Sequence, residues 1–196
     1  MTADTKARLR AAAISTIREL GIAGVSARTV ASRADCNQAA IYYHFGSLHD
    51  LLADACVAAT QARVAAHRDR LASVTTVPEL IEVAVDLHRE ERELGNVTVL
   101  AQMLAGAQTD EQLRAPTAAA LQLWVDEVET TLDQLFGDNA LATLVDVPAL
   151  ARTISAAFVG LELVDGVAGD GELPSMEAFR QLGGLAQTVI ELSATE

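Results

Sequence analysis

Aromatic residues, cysteines and prolines are all scarce in this sequence. Of its 196 residues, 4% are aromatic, two are cysteine and four are proline. Two cysteines are too few for a disulfide scaffold, and they are not spaced from the four histidines as zinc ligands are, so we predict no metal and no cofactor. The core must be built mainly from Ala, Leu and Val, and Ala and Leu favour helices.

Long apolar runs are also absent, although 51% of the residues are hydrophobic. No stretch approaches the roughly 18 uninterrupted apolar residues of a membrane span. The charged N-terminus has no apolar block behind it, so we expect no secretory signal. These absences predict a chain that works in the reducing cytoplasm without a membrane partner.

Positive charge is scarce overall but not near the N-terminus. The net charge is −13, yet residues 1–70 hold 9 Lys and Arg against 6 Asp and Glu, whereas residues 71–196 hold 5 against 21. Affinity for DNA depends on local neutralisation of phosphates rather than on the charge of the whole chain. The asymmetry predicts two functional regions, and the acidic one is equally consistent with a solvated surface that has no charged partner.

Apolar positions recur at helical spacing along the chain, which predicts an all-α fold of about nine helices without a convincing strand. Capping residues at Ser26, Asn37, Ser47 and Asn96 set four of the helix starts. The first predicted helix ends at residue 20. The other eight cover 26–34, 38–44, 47–73, 78–94, 97–105, 109–136, 148–167 and 175–193.

Residues 26–51 have the spacing of a helix-turn-helix: a short helix, a three-residue turn and a second short helix. In the second helix Ile41 and Phe45 should face inward, because they lie four residues apart. Its outward face then carries Gln38, Ala39, Tyr42, Tyr43 and His44. Glutamine can pair with an adenine edge, and tyrosine hydroxyls and imidazoles can donate to phosphates. Helix N-termini at Asn37 and Ser47 also attract phosphate oxygens.

The run 26–45 resembles the helix-turn-helix signature of the tetracycline-repressor (TetR) family. The segment Ile-Tyr-Tyr-His-Phe at 41–45, followed by Gly-Ser-Leu and then Leu51-Leu52, is similar to that family's transition into its fourth helix. The resemblance covers about 45 residues. It implies that Arg28 contacts a base or phosphate, that Gln38 and Ala39 face base edges, and that Tyr42 and His44 bind phosphate. Tyr43 would touch bases or sugars, and Ser26 and Ser47 would lie near the DNA backbone.

Some positions depart from the family pattern. Asp35 stands where glycine is usual, and aspartate tolerates a left-handed conformation better than most residues. Ala40 and Leu48 replace a common threonine and a phosphate-binding lysine, which should weaken backbone contacts; Lys6, Arg8 and Arg10 are candidates to compensate. The predicted DNA-contact set is Ser26, Arg28, Asn37, Gln38, Ala39, Ala40, Tyr42, Tyr43, His44 and Ser47.

The resemblance implies a helix-turn-helix domain at 1–46 and a ligand-binding and dimerisation domain at 47–196, with 47–73 as a linking helix. Polar or bulky groups inside the later apolar runs are candidate effector contacts: His88, Leu100, Met103, Leu104, Trp124, Phe158 and Glu162. Each also has an ordinary interpretation, since Met and Trp at helical spacing are more often core residues. If Trp124, Met103 and Glu162 converge in the fold, the expected effector is largely apolar, with one cationic or hydrogen-bonding group.

The last two helices are the predicted homodimer interface. Candidate residues on the first of them are Phe158, Leu161 and Val164, together with the small residues Thr153, Ala156 and Gly160. Candidates on the second are Phe179, Leu182, Ala186, Val189 and Ile190. The alternative is that part of these stripes faces the core of the same protomer.

The function predicted is a repressor that binds a palindromic operator as a homodimer and is released by a small molecule. The alternatives are a regulator that senses thiol oxidation through Cys36, and a helical interaction protein that has lost DNA binding. An enzyme is not expected: His44, Ser47 and Asp50 resemble a triad in composition, but Ser47 and Asp50 are better explained as a helix-capping pair.

Overall fold

The computed structural model describes residues 2–137, 145–168 and 174–193, and within these ranges it is all-α, as predicted. Nine α-helices and one short 3-10 helix at Ile22–Gly24 make up the regular structure there. The α-helices are α1 (Thr2–Leu20), α2 (Ala27–Arg33), α3 (Ala39–Phe45), α4 (Leu48–Ala72), α5 (Val77–Glu93), α6 (Asn96–Thr109), α7 (Glu111–Phe136), α8 (Val147–Ala168) and α9 (Pro174–Ser193).

Packing divides the chain into two compact units. Unit 1 comprises Met1–Arg63 and Gly95–Leu121, and unit 2 comprises Val64–Leu94 and Gln122–Glu196. Helices α4 and α7 each contribute residues to both units. The boundary predicted between residues 46 and 47 separates a DNA-binding domain from a ligand-binding and dimerisation domain. It divides the chain by function rather than by packing, and it stays a prediction.

Unit 1 has a single apolar core to which helices from both of its chain segments contribute. Leu9 and Ile17 of α1, Val30 of α2, Ile41 of α3 and Met103 of α6 are all at most 1% exposed and belong to one cluster. The burial of Ile41 confirms its predicted inward position on the second helix of the helix-turn-helix. A shared core of this kind holds α2 and α3 in a fixed relation, which a DNA-reading surface requires.

Helix α6 is tied to the start of the helix-turn-helix by polar contacts. The Gln102 side-chain oxygen accepts the Ile22 N–H at 3.0 Å, and Arg18 donates to Asn96 at 3.0 Å. The prediction that Asn96 caps this helix is wrong, because Gly95 occupies the cap position in a left-handed conformation with φ +69°. The helix also runs four residues beyond the predicted end, because Gly106 does not break it and is buried within it, close to Leu113.

Unit 2 contains two smaller apolar clusters. One groups Val125, Leu132, Val147 and Ala151. The other joins Ile81 and Val85 of α5 to Leu161 of α8 and Phe179 of α9. Leu161 and Phe179 therefore pack within their own protomer, which is the alternative left open for part of the predicted dimer stripes. The side chains of Val189 and Ile190 lie outside the described residues.

The outward surface of α8 and α9 is apolar. Val164, Val167, Leu182 and Leu185 are 62%, 89%, 63% and 67% exposed. We call these four residues, together with the exposed Ala156 and Gly160 of α8, the α8–α9 face. By length and composition alone, Val147–Val167 is apolar enough to cross a membrane, and 17% of that window is buried. A monomer leaves this apolar surface in contact with water.

Candidate nucleic-acid interface

The first helix of the helix-turn-helix starts at a capping box. The Ser26 hydroxyl accepts the Thr29 N–H at 3.1 Å, and the Thr29 hydroxyl accepts the Ser26 N–H at 2.9 Å. The predicted cap at Ser26 is confirmed, and its reciprocal partner Thr29 was not anticipated. Two N–H groups that a helix start would leave unbonded are satisfied in this way, so the entry into α2 is fixed.

The turn between the two helices is a Schellman motif. Asp35 has φ +49°, the Cys36 N–H donates to the Ala31 carbonyl at 2.9 Å, and the Asp35 N–H donates to the Ser32 carbonyl at 3.2 Å. These are the 6→1 and 5→2 bonds that end a helix through one left-handed residue. The turn therefore survives the replacement of the family's glycine by aspartate, as predicted.

Helix α3 buries one side and presents the other to solvent. Ile41 is fully buried, whereas Tyr42 and Tyr43 are 55% and 79% exposed. Gln38 and Ala39 are also exposed at the head of the helix, and the Asn37 side chain accepts the Ala39 N–H at 3.0 Å. His44 and Ala40 are half-buried, and Ala40 packs partly against the core. Four of the five residues predicted to face outward are thus exposed, whereas His44 is only half-buried.

Phe45 is only partly buried, and the ammonium of Lys6 lies 5.5 Å from the centre of its ring. A cation over an aromatic face is attracted to its π electrons. Lys6, a candidate to compensate for the weakened contacts to the DNA backbone, therefore lies beside the end of α3.

Ser47 is engaged in capping α4. Its hydroxyl accepts the Asp50 N–H at 3.0 Å and donates to the Asp50 carboxylate at 2.6 Å. The capping pair predicted from the Ser47–Asp50 spacing is confirmed. His44 instead lies against the rings of Tyr43 and Phe45, at centroid distances of 4.8 Å and 6.5 Å. The serine and the aspartate thus have a structural role that does not require a catalytic one.

The cations of unit 1 differ in what they contact. Arg10 donates to the Asp54 carboxylate at 3.0 Å, and this hydrogen bond raises the pKa of Arg10. Arg33 pairs with Glu19, and its hydrogen bond lowers the pKa of that carboxyl group. In the described residues Arg28 is exposed and has no ion-pair partner. Arg28 is therefore the cation of the helix-turn-helix that can bind an external anion without breaking an internal pair.

The two cysteines lie in closed environments. The Cys36 thiol donates to the Ala34 carbonyl at 3.2 Å and packs partly against the core of unit 1. Cys56 is buried, and burial raises the pKa of its thiol. A raised pKa lowers the thiolate fraction, and the thiolate is the reactive form. Neither the hydrogen bond of Cys36 nor the burial of Cys56 favours the thiol-sensing alternative.

The candidate effector residues fall into separate environments. Met103 is 1% exposed in the core of unit 1, and Leu100 and Leu104 are half-buried on the same helix. Trp124 is half-buried in unit 2, with its ring 6.3 Å from that of His67.

His88, Phe158 and Glu162 do come together in unit 2. The His88 ring meets that of Phe158 edge-to-face at 6.2 Å, and its Nδ1 lies 3.7 Å from the Glu162 carboxylate. Asp165 was not predicted, yet its carboxylate lies 3.6 Å from His88 Nε2. The missed signal was its position three residues after Glu162, which places both carboxylates on the same side of α8.

Comparisons with known proteins agree with this geometry. Residues 9–55 match the family model described as bacterial regulatory proteins, tetR family. An uncharacterized HTH-type transcriptional regulator of Mycobacterium tuberculosis is 24% identical over 170 residues, which cover 87% of each chain. A Rhodococcus sp. structure described as a TetR-family transcriptional regulator aligns with a TM-score of 0.79 at 20% identity, over 94% of this chain and 99% of that one.

A further solved structure is that of the multidrug binding protein EbrR complexed with proflavin. It aligns with a TM-score of 0.63 at 26% identity, over 91% of this chain and 96% of its own. The capped helices, the exposed face of α3 and the family match over residues 9–55 together support a DNA-binding transcriptional regulator of the TetR type.

Proposed function

We propose that this protein is a repressor that binds a palindromic DNA operator as a homodimer and releases it when a small-molecule effector binds. The observation that carries the proposal is the exposed face of α3, with Tyr42 and Tyr43 in solvent and the unpaired Arg28 at the start of α2. Large aromatic side chains are rarely left in water without a partner. Hydroxyl and guanidinium donors there match phosphate and base-edge acceptors.

The α8–α9 face supports the dimer. One recognition helix contacts only a few base pairs, and two-fold dimers solve this by reading half-sites one helical turn apart. Four large aliphatic side chains exposed on two neighbouring helices offer the apolar surface that such a dimer needs. Thr153, Ala156 and Gly160 are also exposed on α8, and small residues allow two helices to approach closely.

The switch that we propose acts through α4, which follows α3 after Gly46 and Ser47. An effector that prefers one position of α4 would change the spacing of the two recognition helices. A preference of a few kcal/mol is sufficient to shift such a two-state equilibrium almost completely. EbrR is described as binding several drugs, and by analogy we propose an effector that is largely apolar.

The test is selection of bound fragments from a random duplex pool at near-physiological salt. The full chain should enrich a palindrome, and the Arg28→Ala, Tyr42→Ala double variant should bind it about 10- to 100-fold more weakly. Arg89→Ala is the matched control, because it removes an exposed arginine from unit 2. If the folded, dimeric protein enriched no sequence even after any co-purified ligand was removed, DNA binding would have been lost and the proposal would fail.

The same assay tests the thiol-sensing alternative. Because Cys36 packs partly against the core and Cys56 is buried, mild oxidant should leave operator binding unchanged. Release of the operator by oxidant, prevented by a Cys36→Ala change, would replace the small-molecule effector with a redox signal.

A further inference from the structure

Helix α8 has the reverse of the usual distribution of polar and apolar residues. Its outward side carries Gly160, Val164 and Val167, whereas its inward side carries Glu162 and Asp165, which are 5% and 2% exposed. Aspartate and glutamate are almost never fully buried unless they are paired. The outward valines are accounted for by the proposed dimer, whereas both inward carboxylates lie next to a buried histidine.

These carboxylates face a histidine that makes no hydrogen bond. The His88 side chain is 3% exposed, and neither ring nitrogen has a hydrogen-bond partner among the described residues. Its nitrogens lie 3.7 Å from Glu162 and 3.6 Å from Asp165, which exceeds hydrogen-bond distance. A buried polar group that lacks hydrogen bonds costs free energy, so folding alone does not account for a buried histidine whose two ring nitrogens make none.

We propose that the cluster formed by His88, Glu162 and Asp165 receives the positively charged, hydrogen-bond-donating group of a small organic effector. This inference rests on the proposed function, because it names the chemical class of the effector. A protonated amine or amidinium donates short, charge-assisted hydrogen bonds to carboxylates. Phe158 lies against the same histidine and offers an aromatic surface for the apolar part of the molecule.

Two further observations favour an organic cation. No group of three His, Cys, Asp or Glu side chains in the described ranges is placed to hold a metal ion. The hydroxyl of Ser155, seven residues before Glu162 on the same side of α8, is buried and makes no hydrogen bond among those residues. The Ser155 hydroxyl can therefore accept a further N–H from a ligand.

The experiment measures binding of matched cationic and neutral probes to the full-length protein without DNA. The first pair is benzamidine and benzamide, and the second is proflavin and acridine at a pH where acridine is uncharged. The wild-type protein should bind at least one cation about tenfold or more tightly than its neutral partner. Absence of binding of both cations up to about 1 mM would overturn the proposal.

Isosteric variants locate the site. Glu162→Gln and Asp165→Asn should each weaken binding of the cation by about 10- to 100-fold and leave the neutral probe unaffected. Asp133→Asn is the control, because it removes an exposed carboxylate from α7 in the same unit. Equal loss for cation and neutral probe in both isosteric variants, or unchanged cation affinity, would overturn the assignment.

Thermal stability provides a second readout. Substitution in a cluster that binds a ligand should not lower the melting temperature, whereas substitution in a purely structural cluster should lower it. If the carboxylates are kept for recognition at a cost in stability, Glu162→Gln should melt at the same temperature as wild type or above it. A fall of more than about 4 °C with unchanged cation affinity would make the cluster structural and overturn the inference. Failure of the operator selection alone would leave this binding result intact, so the two proposals can fail separately.

Discussion

Unit 1 and unit 2 place their polar and apolar side chains in opposite ways. Unit 1 has one contiguous apolar core, and its exposed recognition helix carries polar and aromatic groups. Unit 2 has two smaller cores, exposes valines and leucines on the α8–α9 face, and buries a histidine between two carboxylates. A unit that reads DNA needs a rigid scaffold, whereas unit 2 keeps surfaces that its own fold does not satisfy, as the proposed binding of a second protomer and a ligand would require.

Truncation of the core of unit 1 should have the largest effect. Ile41→Ala removes a fully buried side chain that joins α3 to α1 and α2, and should lower the free energy of unfolding by about 3–4 kcal/mol. Ile154→Ala in unit 2 removes the same atoms from a partly buried position and should cost less than half as much. Denaturant unfolding of both variants measures the difference. Equal losses would remove the distinction between a continuous core and a divided one.

A charge on the α8–α9 face should break the dimer. Leu185→Asp buries a carboxylate in the proposed interface and should convert the protein to a monomer at micromolar concentration, as measured by sedimentation. Leu20→Asp is the control, because Leu20 is 53% exposed on α1 and Leu185 is 67% exposed. A dimer that tolerated Leu185→Asp would place the interface elsewhere.

Two adjacent glycines of α9 should respond in opposite directions. A Cβ on Gly183 would lie 1.8 Å from Ile81 Cδ1, so Gly183→Ala forces α5 and α9 apart and should cost about 1–3 kcal/mol. A Cβ on Gly184 meets nothing within 4 Å, so Gly184→Ala should stabilise the helix by up to about 1 kcal/mol. Thermal melting of the two single variants checks the signs. Destabilisation by both would show that the outward side of α9 is also closely packed.

The left-handed turn in unit 1 offers a smaller test. Asp35→Gly should raise the free energy of unfolding by about 0.5 kcal/mol, because glycine adopts φ +49° without a Cβ penalty. Asp69→Gly, an exposed aspartate within α4, should lower it by about the same amount, since glycine weakens a helix interior. Chemical denaturation distinguishes them, and the same sign for both would mean that Asp35 is not strained.

The ion pair between α5 and α9 should have the smallest effect. A hydrogen bond from Arg180 lowers the pKa of Glu82, so the pair stabilises the fold above the ordinary carboxyl pKa and is lost as the pH falls through the lowered value. The Glu82 side chain is 58% exposed and that of Arg180 is 37% exposed, so solvent screens the pair and Glu82→Gln should cost only about 0.5 kcal/mol at pH 7. The difference from wild type should vanish below about pH 3, in melts across a pH series. A difference that persisted in acid would have another cause than charge.

Local patterns in the chain were sufficient to predict its all-α class, the helix-turn-helix and the outward face of α3. Ser26, Asp35 and Ser47 act through atoms a few residues away, so their capping and turn roles can be recognised from spacing. The exposed apolar surface of α8 and α9 was predicted only in part, because one helical stripe cannot show which neighbour covers it. Leu161 and Phe179 turned inward, while Val164 and Leu182 stayed exposed.

The tertiary structure decided the features that depend on distant segments. Gln102 bonds to Ile22 across 80 residues, and His88 meets Glu162 and Asp165 through the packing of α5 and α8. No local propensity encodes such contacts, since they follow from which helix faces meet when the cores close. The sequence by itself therefore determined the helices and the DNA-reading motif, and packing determined how α6 is held and where charge is buried.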